Sequence, residues 1–582
     1  VKKNNKNNLL IEKSINGNTG FYEYDSNYNI TTFIDSLNNK TKYQYDLENN
    51  LIFKTNANNH EYKYTYTKDN KLKQTYVNDK LISENTYNPD GKLVSEKDGL
   101  GNSVYYEYDK FNNIIANIDK NGNKTTYEYD EFNNLIKTID NLGFESVNTY
   151  NNFNELITSS DFNNNITKYF YDEFSRVIKQ INPLNASKEK VYNNLNQLVS
   201  EKDERNLITS YEYDKYNNLI QIKEDDIIVV KKEYDKYNRL IKLTNSLGDF
   251  NTYEYDTYDN VIKNIKPNKS ALIYEYDSEN NVIQIIDELG SITHFSYDGL
   301  YNVIKENQNN EKETYYSYDE FNNKISFTDS NGNTEYYEYD LNNNLIKKTD
   351  SLNNSSYKEY DNNNNLIKET DENGNSIIYV YDANNRLIQT KDSLNNINTN
   401  TYDENGNLIK AQNPRGYYIT YEYNPVNKII SETSNGNKTT YKYNESNDLI
   451  SIKSSRNYIE RFKYDNKGNL ILHTLKDGTS IKYTYDTEGN VLSKNDIKYE
   501  YDSNFNVIKV SDKTGVSTYK YNEKDSIIEV NQQSNTIKYE YDKYNQKTKV
   551  IYPDKEVVRY EYDNNGNLKK VISNIQPIEQ KQ

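Results

Sequence analysis

The sequence is bounded first by what it does not contain. Its 582 residues include no cysteine, no methionine, no tryptophan and only three histidines. The absence of cysteine excludes disulfides, thiol nucleophiles and thiolate metal sites together, and leaves the cellular compartment open. The absence of methionine reads as a processed product or a piece of a longer protein. No apolar run approaches the length of a membrane span, and the opening Val1-Lys2-Lys3-Asn4 is not a secretory leader. His60, His294 and His473 lie far apart in the chain, with no second histidine fixed near any of them. No nucleophile elbow, phosphate loop or zinc spacing occurs. The sequence therefore offers no catalytic residue, no cofactor-binding residue and no metal ligand, and it reads as a protein that is not an enzyme and uses no cofactor.

What is abundant points elsewhere. A hydrophobic content of 34% and a mean hydropathy of −1.07 lean toward disorder. The 62 tyrosines oppose that reading, because each ring can bury a large area. Asparagine, lysine, isoleucine and tyrosine share codons built only from A and T, so an AT-rich genome explains part of their excess. A net charge of −17 and a pI near 5.0 argue against nucleic acid or an anionic membrane as a partner for the surface as a whole.

The order of the residues is repetitive. YEYDEFNNLIK begins at Tyr127, YEYDKYNNLIQ at Tyr211 and YEYDLNNNLIK at Tyr337. The residue after the second tyrosine of the phrase falls at Asp25, Asp46, Thr67, Asn88, Asp109, Asp130 and onward to Asn424, giving 20 copies spaced by 21. Seven more follow at Asn444, Asp465, Asp486, Asp502, Asn522, Asp542 and Asp563. The residue before that position is tyrosine in all 27 copies, and the residue three before it is aromatic in 21. Such a period is the signature of a repeat architecture.

One repeat predicts two strands and two turns. Tyr127 and Tyr129 are two apart and share a strand face. Asp130 opens a turn whose fourth residue must be left-handed, which suits Asn133 here and Gly406, Gly468 and Gly566 elsewhere. That is a type I turn closed by a bulge. Leu135–Ile139 is again strand-like, and Asp140-Asn141-Leu142-Gly143 is a second Asp-x-x-Gly turn. No stretch between turns is long enough for a stable helix. The prediction is an unbroken antiparallel meander of roughly fifty short strands. Between Asp486 and Asp502 five residues are missing, and the second turn shrinks to Lys494-Asn495-Asp496, a loss that keeps strand faces in register. So wide a sheet cannot stay flat and must coil, into a hollow shell or a narrower rod.

Other readings of the same letters are weaker. Asp119–Asn123, Asp329–Asn333 and Asp371–Asn375 start like a calcium loop but lack its glutamate at the twelfth position, and turn chemistry explains them. Equivalent aspartates in equivalent turns are the opposite of a differentiated glycosidase pair. Rows of tyrosine could stack on sugars, as in choline- or glucan-binding repeats, but those lean on tryptophan.

The phrase Tyr-x-Tyr-Asp-x-x-Gly-Arg/Asn-Leu resembles the YD repeat of the RHS family, with Tyr381–Leu387 and Tyr562–Leu568 as the nearest copies. The resemblance covers nearly the whole chain. It implies a spiralling β-sheet closed into a hollow cocoon, as in bacterial RHS toxins, toxin-complex shell components, wall-associated bacterial proteins and teneurins. In the toxins, the resemblance further implies, the shell sequesters a toxic C-terminal segment. Their Asp-Pro-x-Gly-like core phrase is absent from this sequence.

The expectation is thus an all-β repeat protein of about 27 YD-repeat hairpins, coiled into a spiral, hollow shell-like or tubular sheet. Residues 1–20 read as a partial-repeat lead-in, 21–572 as the array and 573–582 as a tail. The expected role is a noncatalytic scaffold that encloses and protects a toxin or effector cargo, secreted or at a bacterial surface. The alternative is a surface fibre or adhesin that binds glycans or self-associates. Expected partners are an enclosed polypeptide or neighbouring domains of a larger protein, with no nucleic acid and no membrane insertion.

Overall fold

The computed structural model describes residues 2–4, 9–13, 19–456 and 458–573. Much of the lead-in, and the tail beyond Ser573, lie outside the described residues. The described chain is a single sheet of 56 strands. Each strand pairs antiparallel with its neighbours in sequence, as Lys124–Tyr129 does with Ile114–Ile118 and Leu135–Ile139. No helix occurs among the described residues, so none is long and apolar enough to cross a membrane.

The phrase YEYDEFNNLIK dictates this geometry residue by residue. Asp130 accepts the N–H groups of Phe132 and Asn134 on Oδ1, at 2.9 Å each, and the Asn134 amide on Oδ2 at 2.9 Å. The Asn134 side chain and these backbone donors hold the Asp130 carboxyl below its ordinary value. Asn133 is left-handed at φ 65°, a conformation in which glycine serves in other copies, as Gly406 does at φ 86°. The pairing slips by one residue between Glu128 and Tyr129, which is the bulge that closes a type I turn. We call these the tyrosine turns, and the turns half a repeat later, such as 119–123 and 140–144, the return turns. The two classes line opposite edges of the ribbon.

The second tyrosine, present in all 27 copies, has a specific task. The ladder between Leu135–Ile139 and Glu145–Tyr150 pairs only residues 137–139 with 145–147. Beyond that ladder the Leu135 carbonyl receives the Tyr150 hydroxyl at 3.0 Å. Tyr129 reaches Ile114 in the same way at 3.0 Å, Tyr171 reaches Leu156 at 2.9 Å and Tyr562 reaches Lys547 at 2.8 Å. Most repeats are thereby fastened to their predecessors, and phenylalanine could not do it. Where the first aromatic is replaced by Asn148, its amide donates to the same Leu135 carbonyl at 3.1 Å.

The Glu of Tyr-Glu-Tyr meets the Lys of Leu-Ile-Lys across the strand pair. Glu338 binds Lys347 at 2.8 Å, Glu359 binds Lys368 at 2.7 Å and Glu540 binds Lys549 at 2.8 Å. These pairs are exposed, so solvent screening keeps each of them weak. Asparagines at the ends of successive tyrosine turns form a further ladder, Asn344 to Asn364 at 2.9 Å and Asn365 to Asn385 at 2.8 Å.

A greasy core is missing. The only buried apolar residues among those described are Val77, Ala116, Ala186 and Val550. The sheet is a wall one layer thick, half-covered on its tyrosine face and open on its Glu/Lys face. At the shortened repeat the wall closes over the loss. Val491–Lys494 and Ile497–Tyr501 pair Lys494 with Ile497 around a two-residue turn, so the deletion is taken from the turn and the strand ends.

Candidate functional site: the seam between coils

The ribbon returns to itself. The return turn 119–123 meets the tyrosine turn 361–365, where Asn121 donates to Asp361 Oδ2 at 2.9 Å and Asn363 donates to Asp119 Oδ2 at 2.7 Å. The strand before the first turn, Ile114–Ile118, is the twelfth, and the strand before the second, Ser355–Tyr360, is the thirty-fifth, so one coil takes 23 strands. The same reciprocal clasp joins Asn163 to Asp403 at 2.9 Å and Asn405 to Asp161 at 2.7 Å. It recurs with Asn331 on Asp563 at 3.1 Å and Asn565 on Asp329 at 2.6 Å. Asn331 and Asp563 lie 232 residues apart, eight fewer than the 240 between Asn121 and Asp361, yet the turns follow the thirty-second and fifty-fifth strands. Strand count, not residue count, is kept constant: the shortened turns absorb the difference.

Elsewhere on the seam, charge replaces the amide clasp. Arg205 binds Asp448 at 2.5 Å, Lys80 binds Glu320 at 2.7 Å and Lys467 binds Glu224 at 2.7 Å. Lys524 pairs with Asp287, and Lys543 binds Glu311 at 2.5 Å. Tyr301, itself left-handed at φ 66°, donates its hydroxyl to Asp35, which is only 2% exposed. The backbones approach closely enough to need glycine. A Cβ on Gly99 would stand 2.8 Å from the Leu341 Cβ, and one on Gly299 would stand 2.9 Å from the Ala57 Cβ.

These contacts tune the carboxylates. Burial pushes Asp98 up, but bonds from Lys120 and Asn342 outweigh it and hold the group below its ordinary value. Asp448 follows the same pattern, with burial overcome by the Arg205 and Asn444 side chains. In Asp329 burial is overcome by Asn333 and, across the seam, Asn565. Asp119 and Asp329, both in Asp-x-Asn-Gly-Asn turns on the seam, spend both oxygens on turn and seam donors.

At about 4.8 Å per strand, a coil of 23 strands is about 110 Å around and about 35 Å across. No described segment leaves the wall. The three histidines are not brought into one group: His60 precedes the strand Glu61–Tyr66, His294 lies in Ile292–Tyr297 and His473 in Leu470–Thr474. His473 Nε2 lies 2.8 Å from Glu460, and the ring stacks on Phe462 with centroids 4.5 Å apart. No group of three or more potential metal ligands is found among the described residues. The seam itself was not foreseen. Its signal is the asparagine at the third position of both turn classes, Asn121 and Asn163 in one coil and Asn342, Asn363, Asn384 and Asn405 in the next.

The geometry has counterparts among known proteins. The family described as Teneurin YD-shell matches residues 367–498 and 495–576. No curated protein sequence matches the chain. Among solved structures, the crystal structure of TcdB2-TccC3-TEV aligns with a TM-score of 0.56 at 11% identity, over 96% of this chain and 44% of that one. TcdB2-TccC3-Cdc42 aligns at 0.51 and 11% identity, over 94% and 43%. The Photorhabdus luminescens Tc holotoxin pore with a TccC3 mutation aligns at 0.51 and 11% identity, over 95% and 42%. The chain therefore spans less than half the length of these neighbours, and the likeness concerns the fold.

Proposed function

We propose that this chain is a noncatalytic shell wall of the RHS/YD-repeat type that encloses a polypeptide cargo and shields it from proteases. The observation that carries this reading is the seam. Clasps recurring every 23 strands turn an open ribbon into a continuous wall around a space about 35 Å across. A wall with almost no apolar core has little use except as a boundary. The working space is defined by what the wall excludes. The formal charge of −17 suits a basic cargo. In this reading residues 21–572 form the repeat wall, the lead-in 1–20 adds its first strands, Lys2–Asn4 and Leu9–Lys13, and 573–582 continue toward neighbouring domains of a larger protein. Its place is secreted or at a bacterial surface.

The test joins a flexible, protease-sensitive segment to Gln582 and compares its cleavage in the native shell and in a seam-opened variant, Asn121→Ala/Asn363→Ala/Asn163→Ala/Asn405→Ala. Slower cleavage in the native shell supports enclosure. Equal rates contradict it.

A second reading has its own observation. Tyr315, Tyr336 and Tyr357 are 42%, 53% and 48% exposed on alternate strands of the Glu/Lys face. Alternate strands stand about 10 Å apart, so the rings form a short row suited to stacking on a glycan. Titration with soluble oligosaccharides, native against Tyr336→Ala, decides whether that face binds them.

A further inference from the structure

The seam explains one set of turn tips and leaves another without a partner. In the first coil the third residue of the tyrosine turn is aromatic or leucine in every repeat from Phe111 to Tyr258, eight positions at steps of 21. All eight are exposed, from 42% at Tyr258 to 83% at Phe153. They form a row of exposed tips about 10 Å apart along the free edge of the first coil, with Lys110, Arg176, Lys215 and Lys236 lying over the rings of Phe111, Phe174, Tyr216 and Tyr237. Scattered exposed apolar residues need no explanation, but a contiguous patch marks an interaction surface.

The chain supplies its own reference for what such tips do when docked. Asp130–Asn134 and Asp319–Asn323 have the same sequence, Asp-Glu-Phe-Asn-Asn. Phe132, on the free rim, is 64% exposed, whereas Phe321 is half-buried in a turn that sits on the coil below through the Glu320–Lys80 pair. Asp-Lys-Tyr-Asn occurs at 214, 235 and 542. Tyr216 and Tyr237 are 62% and 63% exposed on the rim. Tyr544 is half-buried on the seam, its hydroxyl 2.6 Å from Glu311 and its ring 3.8 Å from the Lys312 ammonium.

The opposite free edge is mixed, with Leu352 and Leu394 among polar tips such as Asn373, Arg415 and Asp477. Asp-Ser-Leu-Asn-Asn occurs at 35, 350 and 392. The first copy is docked, with the Ser36 N–H 2.7 Å from Glu279 and Leu37 40% exposed. The other two lie in return turns of the last coil, where Leu352 is 78% and Leu394 80% exposed.

We propose that the aromatic rim docks on the free return-turn edge of a second copy, head to tail, repeating between molecules the contact that joins coils within one. The inference does not rest on cargo enclosure. Its support is continuity with the seam: Phe132, Tyr216 and Tyr237 on one edge and Leu352 and Leu394 on the other lie in turn sequences that dock internally elsewhere in the chain. The area is also sufficient. Eight such side chains, each losing on the order of 100 Å² of exposure, approach the roughly 800 Å² per partner of a standard interface. Head-to-tail contact does not close on itself, so the product is a lengthening tube rather than a fixed dimer.

Sedimentation velocity and mass photometry of the full chain, across about 0.1–100 µM, test this. The expected result is growth from the 68.6 kDa monomer to its multiples with concentration. Phe132→Asp/Phe153→Asp/Phe174→Asp and, separately, Leu352→Asp/Leu394→Asp should each abolish that growth. Both sites are turn tips, and circular dichroism with the unfolding temperature confirms that the variants remain folded. Mixing the two variants should restore a two-chain species and nothing longer, because one intact rim of each kind remains. A monomer at every concentration overturns the proposal. So does undiminished association of the leucine variant, which would mean rim on rim, and so does rim-dependent binding to lipid vesicles without self-association.

Discussion

Asn363 donates its side-chain amide to Asp119 at 2.7 Å across 244 residues of chain, and Asn121 returns the same bond to Asp361 at 2.9 Å. Two turns of like sequence from successive coils recognise each other, and the repeat that builds the ribbon also fastens it to itself.

Removing this clasp should open the seam without melting the wall. Asn121→Ala/Asn363→Ala deletes one exposed and one partly buried bond, the latter worth about 1 kcal/mol. Hydrogen exchange should rise at the amides of 119–123 and 361–365, while the flanking ladders keep their protection. In a nearest-neighbour array the effect stays local.

The carboxylates set a pH limit on the seam. Asp98, Asp329 and Asp448 are all held below the ordinary 3.8. A depressed folded pKa contributes stability that is present above the ordinary value and lost as pH falls through the depressed one. Seam protection should be flat from neutral pH to about 5, begin to fail near 4 and be lost below, as read by hydrogen exchange or limited proteolysis with an acid-active protease.

The tyrosine hydroxyl is testable by the smallest change available. Tyr150→Phe leaves the Leu135 carbonyl without its donor and should cost about 1 kcal/mol locally. Tyr28→Phe, at a turn residue 78% exposed, should be neutral. Equal effects of the two would remove the hydroxyl from the account and leave only ring packing.

Turn handedness makes a further distinction. Asn133→Gly should be tolerated, whereas Asn133→Val forces a β-branched residue to φ 65° and should cost roughly 1–2 kcal/mol. Chemical denaturation, read at the surrounding repeats, separates them.

Most of the fold was legible in the sequence because its determinants are local. Tyr127 and Tyr129 declare a strand face, Asp130 and Asn133 declare the turn and its handedness, and Lys494-Asn495-Asp496 shows where a repeat may shorten. The seam was not legible from those residues, because nothing within one repeat sets how far the sheet curves per strand. Only the partner of Asn121, 23 strands on, reveals that Asp-x-Asn-Gly does more than turn the chain. The rim was overlooked for a related reason. Phe132 and Phe321 sit in the same five residues, and only their surroundings distinguish a docked tip from a free one.

The coil of 23 strands is the claim on which enclosure depends. The chain has no cysteine, so spin labels on Lys120→Cys and Asn362→Cys report a single distance by double electron–electron resonance. A closed coil predicts a separation of at most about 20 Å, the reach of two labels on touching turns. An uncoiled ribbon would set the same residues about 110 Å apart, at about 4.8 Å per strand, and the short distance would be absent.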